Sequence, residues 1–99
     1  MEVMEKGRII TSPLFVVRIL ENKQEAGGIS AVAPKKIAPT AVLRNSIRRQ
    51  VYSALISVKN SLKPGVSMII FAKQEALKAD VAAMSTDLAQ LFVKAKIGV

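Results

Sequence analysis

The sequence predicts one α+β domain over residues 1–99, a two-layer α/β sandwich with elements in the order β-β-β-α-β-α. Three observations lead there. Short runs of β-branched and other apolar residues recur at RIITS, LFVVRIL, ISAVA and VSMIIFAK. Two longer segments repeat apolar residues at helical spacing. The chain has 99 residues, 51% of them hydrophobic, which is enough for a single core. One sheet with both helices on the same face is the simplest way to bury the two apolar stripes.

The elements follow in order. Arg8 to Ser12 is a short strand, and Pro13 places a bend after it. Leu14 to Leu20 is a second strand. Its Phe15, Val17 and Ile19 face one way, while Val16, Arg18 and Leu20 face the other. Arg18 is therefore an odd charge on a largely apolar strand. ENKQEAGG is a polar loop, and Ile29 to Ala33 is a third strand ended by Pro34, Lys35 and Lys36.

Pro39 forbids helix before it, and Thr40 can cap a helix after it. That helix is expected from Ala41 to Leu62, with Ile47, Val51, Leu55, Val58 and Leu62 as its buried stripe. Pro64-Gly65 stops it. Val66 to Lys73 is apolar on both alternating sets, which predicts a central strand. Asp80 caps a last helix whose stripe is Val81, Met84, Leu88, Leu91 and Ala95. There are no repeats, low-complexity tracts or linkers.

Composition removes several kinds of chemistry. With no cysteine there are no disulfides or thiol reactions, and with no histidine there is no histidine-based acid–base catalysis. Apolar runs such as MIIFA are strand-sized, whereas a membrane span needs about 20 residues. The opening MEVMEKGR lacks the order of a secretory signal, so a cytoplasmic location is expected.

The net charge is +8, and it is localised. No acid occurs from Ala26 to Gln74, a segment holding Lys35, Lys36, Arg44, Arg48, Arg49, Lys59, Lys63 and Lys73. Outside it, basic and acidic residues balance. Such a block repels itself, and an anionic partner relieves the repulsion. Nucleic acid leads among partners; a basic face kept for solubility is the competing reading.

Advancing about 100° per residue along the Ala41 helix gathers Asn45, Arg48, Arg49, Tyr52, Lys59 and Lys63 on one flank. Arg44 lies at the edge of the stripe, its stem packed and its guanidinium expected in solvent. Arginines offer forked donors to phosphate. They also sit where a helix prefers acids, near its positive N-terminal pole, and Lys35 and Lys36 add to that pole. An ordinary solvated helix face is the alternative. Tyr52 offers a ring for base stacking, against a plainer role in packing.

PKKIAPTAVLRNSIRRQV resembles the signature of the protein subunit of bacterial ribonuclease P. Lys35, Lys36, Ala41, Val42, Arg44, Asn45, Ile47, Arg48 and Arg49 fall on that pattern. GRIITSPLFVVRIL is similar to the family's first two strands, VSMIIFAK to its central strand, and DLAQLFVKA to its closing helix. Nearly the whole chain is covered in the family's order.

The resemblance implies a fold like the second domain of ribosomal protein S5, with a left-handed βαβ crossover. It implies a subunit that binds the catalytic RNA and the 5′ leader of precursor tRNA. The RNA, using Mg²⁺, would cut the leader away to give the mature 5′ end. Lys35, Lys36, Arg44, Asn45, Ser46, Arg48 and Arg49 would bind RNA. A cleft between the motif helix and the sheet would take the leader, with Phe15, Arg18 and Tyr52 as candidates for it; on an apolar strand Phe15 is more often simply core.

Three departures stand out. Ser46 occupies a position where the family usually has arginine. MEVMEKG matches only the end of the family's basic N-terminal helix. Arg18 stands where many members have a cleft tyrosine, which suggests an electrostatic hold on the leader instead of stacking. The alternative function is a general basic RNA- or DNA-binding or ribosome-associated module with no processing role.

Overall fold

Alternation along two neighbouring strands builds the molecule. A computed structural model of the chain describes residues 8–21, 28–58, 60 and 66–97. Its strands are β1 (Arg8–Thr11), β2 (Phe15–Glu21), β3 (Ile29–Val32) and β4 (Val66–Ala72). They form one sheet in the order β1-β2-β4-β3. β2 pairs antiparallel with both β1 and β4, and β3 pairs parallel with β4. β4 thus lies inside the sheet, as its doubly apolar sequence predicts.

Parallel neighbours need a crossover, and α1 (Ala41–Val58) supplies it between β3 and β4. A 3₁₀ helix over Gln74–Lys78, not anticipated from sequence, leads to α2 (Val81–Lys94).

Phe15, Val17 and Ile19 of β2 and Met68, Ile70 and Ala72 of β4 point to one face and are buried there. Against them pack Ile47, Val51, Ala54 and Leu55 of α1, and Met84, Leu88, Leu91 and Phe92 of α2. Both helices therefore cover one face, as expected. Each large side chain so enclosed stabilises the fold by about 1.5–3 kcal/mol. The alternate residues Val16, Arg18, Ile69 and Phe71 are half-buried on the other face.

The helix starts follow their predicted caps. Thr40 Oγ1 accepts the Leu43 N–H at 3.1 Å, and Asp80 Oδ1 accepts the Ala83 N–H at 2.8 Å. α1 is helical to Val58; Lys59, Leu62, Lys63 and the Pro64-Gly65 stop lie outside the described residues.

One buried polar cluster was not anticipated from the sequence. Ser12 and Asp87 are both buried, and the Ser12 hydroxyl donates to Asp87 Oδ2 at 2.5 Å. Ser12 Oγ also accepts the Phe15 N–H at 3.0 Å, and Lys73 Nζ donates to the Ser12 carbonyl at 3.1 Å. The turn between β1 and β2 is thereby fixed to α2 and to the end of β4.

Candidate nucleic-acid interface

The basic surface begins in the turn after β3. The Ile37 and Ala38 amides both donate to the Pro34 carbonyl, at 3.1 and 3.0 Å. Ala38 is buried and Ile37 half-buried, so the turn is rooted in the core while Lys35 and Lys36 stay exposed. Arg44, one turn into α1, folds back on the same segment. Its Nη1 donates to the carbonyls of Ala38 and Pro39, both at 3.1 Å. This corrects the expectation of a guanidinium projecting into solvent. Those carbonyls lie too early to join the helix ladder, and the half-buried guanidinium supplies each with a donor. The lysine turn is held to the helix as a result.

Arg44, Asn45 and Arg48 line a groove of about 400 Å³ between α1 and β3. Ala31, Val32 and Ala33 form the opposite wall, and Ala41 lines its end. One turn further along the same flank, Tyr52 closes the seam. Its hydroxyl accepts the Ala31 N–H at 3.1 Å, while its ring stays partly exposed. Arg49 and Ser46 are exposed, and their helical positions lie on the outward side of α1, away from the groove. Val42 is 81% exposed and Ile56 67% exposed on that same outward side.

The three residues expected in a leader cleft go to three different places. Phe15 is wholly enclosed in the core and has no surface for a ligand, which corrects that expectation. The alternation that places Val17 and Ile19 inward places Phe15 inward too. Tyr52 lies in the seam between α1 and β3. Arg18 lies on the sheet face opposite the helices, its Cζ 5.6 Å from the centroid of the Phe71 ring. This distance is within cation–π range. Phe71 was missed from sequence; its register opposite Val16, beside Arg18's row, is set by the β2–β4 pairing. Lys73, one of the basic block, serves the Ser12 turn and not the helix flank.

Among the described residues, no three metal-ligating side chains cluster. No helix there is long and apolar enough to cross a membrane.

Comparison with known proteins bears on the family and the fold. The family model for Ribonuclease P matches residues 1–96. The chain is 26% identical over 96 residues to the Ribonuclease P protein component of Enterococcus faecalis, covering 97% of this chain and 81% of that protein. It is 28% identical over 93 residues to that of Desulfosudis oleivorans, covering 94% of this chain and 76% of that one.

Among solved structures, the Staphylococcus aureus RNase P protein superposes with a TM-score of 0.79 at 25% identity, over 97% of this chain and 87% of that one. The Thermotoga maritima RNase P protein reaches 0.80 at 18% identity, over 93% and 86%. The latter likeness shows the fold alone.

Proposed function

Because the chain belongs to the ribonuclease P protein family, we propose that it is the protein subunit of a ribonuclease P ribonucleoprotein and assists RNA-catalysed removal of the 5′ leader from precursor tRNA. The observation that carries this reading is the acid-free basic surface built on the turn and α1. Lys35, Lys36, Arg48 and Arg49 supply cations to the phosphates of the catalytic RNA, and Asn45 and Ser46 supply neutral hydrogen bonds. Arg44 contributes by fixing the lysine turn and by forming one side of the groove.

The leader runs across the sheet face opposite the helices. There the Arg18 guanidinium, steadied over Phe71, meets its phosphates, and half-buried Val16 and Ile69 give its bases an apolar floor. Catalysis rests with the RNA subunit and its Mg²⁺. The protein's residues bind and orient, and the working site of the complex is cytoplasmic.

The test mixes the protein with a bacterial ribonuclease P RNA and a precursor tRNA at low Mg²⁺. Stimulated cleavage at the mature 5′ end is the expected result. RNA binding without stimulation, across several bacterial RNAs, favours a general RNA-binding module instead. For Arg18, affinity for precursor over mature tRNA is expected to fall more for Arg18→Ala than for Arg18→Lys; no loss in either variant removes Arg18 from the leader site.

A further inference from the structure

The two edges of the sheet are finished differently. At the β3 edge the Tyr52 hydroxyl accepts the Ala31 N–H at 3.1 Å, so α1 occupies that side. At the other edge, among the described strands, β1 pairs with β2 alone. The Ser12 amide donates to the Phe15 carbonyl at 2.8 Å, and the β1–β2 register runs on from that pair, with Ile10 opposite Val17. Hydrogen-bonded pairs alternate along an antiparallel ladder. The main-chain groups of Arg8 and Ile10 therefore point to β2, and those of Ile9 and Thr11 point away from it. The Lys94 ammonium, which reaches the Thr11 carbonyl at 3.4 Å, confirms the direction. Ile9 is 62% exposed, and Thr11 is exposed as well. From Ile9 to Thr11 the strand has no charge or proline of the kind that blocks a free edge.

Beside this edge lies a cleft of about 210 Å³ between β1 and α2, lined in part by Thr11, Ser12, Asp87, Gln90 and Lys94. Asp87 brings a carboxylate to it and is otherwise buried. Arg8, Ile10 and Ser12 share the helix-side face of β1, because Ile10 stands opposite buried Val17.

We propose that β1 is a dimerisation strand: a second copy of this chain adds its own β1 antiparallel across a two-fold axis, joining two sheets into one. Directly opposed residues share a face, so a register centred on Ile10 keeps both helix layers on the same side. In it Ile9 exchanges both main-chain hydrogen bonds with the partner's Thr11, and symmetry repeats the pair. Every outward main-chain group of Ile9 and Thr11 is used. Charge selects the same occupant and the same register. Arg8 falls opposite the partner's Ser12, at the cleft that holds the partner's Asp87.

The basic surfaces do not oppose this arrangement. β3 lies three strand spacings from β1, roughly 14 Å. The two α1 surfaces then stand roughly 30 Å apart, well beyond a Debye length of about 8 Å at physiological salt. Both stay open to RNA. The seam is smaller than a standard interface of about 800 Å² per partner, so dissociation is expected in the high-micromolar range.

Sedimentation velocity of the full chain, from micromolar to millimolar protein, is expected to show monomer giving way to dimer. Ile9→Pro deletes an N–H that faces away from β2, where an edge strand tolerates proline. It should stay monomeric, while Ile9→Thr, which keeps the N–H, still associates. Arg8→Glu sets a like charge against the partner's Asp87 and should weaken dimerisation about tenfold. The chain has no cysteine, so disulfide trapping reports the register. A mixture of Ile9→Cys and Thr11→Cys chains should cross-link faster than either variant alone.

A monomer at every concentration overturns the proposal; if its Ile9 amide also resists hydrogen exchange, another part of the same chain covers the edge. A dimer that survives Ile9→Pro uses a different surface and overturns it too. Should Ile9→Pro fail to fold, the other two variants decide. Undiminished association of Arg8→Glu, or faster cross-linking within a single cysteine variant than in the mixture, overturns the β1 seam.

Discussion

The two helices of this molecule lie in one layer and pack on each other and on one sheet, yet they treat charge in opposite ways. α2 is arranged for its own stability. Asp80 caps its positive end, and Lys94 sits in its last turn beside the negative one. α1 has no acid in its first turn and no base in its last. It starts beside Lys35 and Lys36 and carries Arg44, Arg48 and Arg49 in its first half. It also exposes Val42 and Ile56. The difference separates a helix built for its own stability from one that carries an uncompensated charge. A helix that only has to fold looks like α2, whereas α1 keeps features unfavourable in isolation, which the proposed contact with RNA would offset.

Four experiments separate the two helices further, in descending order of expected effect. Leu88→Ala in α2 empties a fully buried position and should cost about 2–5 kcal/mol in chemical denaturation. RNA affinity of the molecules that stay folded should be unaffected. Ser12→Ala strips Asp87 of its hydroxyl donor and should lower stability by about 1–3 kcal/mol. The companion change Asp87→Asn, which removes the buried charge, should lose less; an equal loss would show that shape and not charge sets the value.

The double variant Arg48→Ala/Arg49→Ala should leave the denaturation midpoint nearly unchanged. Its RNA affinity should fall by roughly tenfold or more at physiological salt, and the salt slope should drop by about 1 for each phosphate no longer neutralised. An unaltered slope at matched salt would refute phosphate binding by these arginines. Smallest is Val42→Glu. An acid placed in the bare first turn of α1 should stabilise the protein by about 0.3–1 kcal/mol while weakening RNA binding. A variant that lost both stability and affinity would erase the contrast between the helices.

Patterns of period two and 3.6 made most of the fold legible. The split of β2 into Phe15, Val17 and Ile19 against Val16 and Arg18 was readable from alternation, as was the interior place of β4. Both helix caps were readable from Thr40 after Pro39 and from Asp80. β1 ends at Thr11 and not at Ser12 because the Ser12 amide turns to the Phe15 carbonyl at 2.8 Å, a bond that local pattern does not encode. Asp87 does leave a signal in the sequence: it stands three residues after Met84 and one before Leu88, at a stripe position where an apolar residue belongs. Its partner lies far away along the chain.

The candidate site was legible as a set of cations but not as a geometry. The register of β3 on β4 creates the groove, and Arg44's turn back onto the carbonyls of Ala38 and Pro39 depends on the loop's path. Arg18's companion Phe71 comes from a strand far along the chain. Helical angles alone could not supply any of these.

The bond between Ser12 and Asp87 spans 75 residues of chain. During synthesis the first hairpin emerges early, but the carboxylate that finishes its turn arrives only with the final helix. The α1 cations leave the ribosome before that helix does. For that interval the β1–β2 turn lacks the carboxylate that its Ser12 hydroxyl meets in the finished fold.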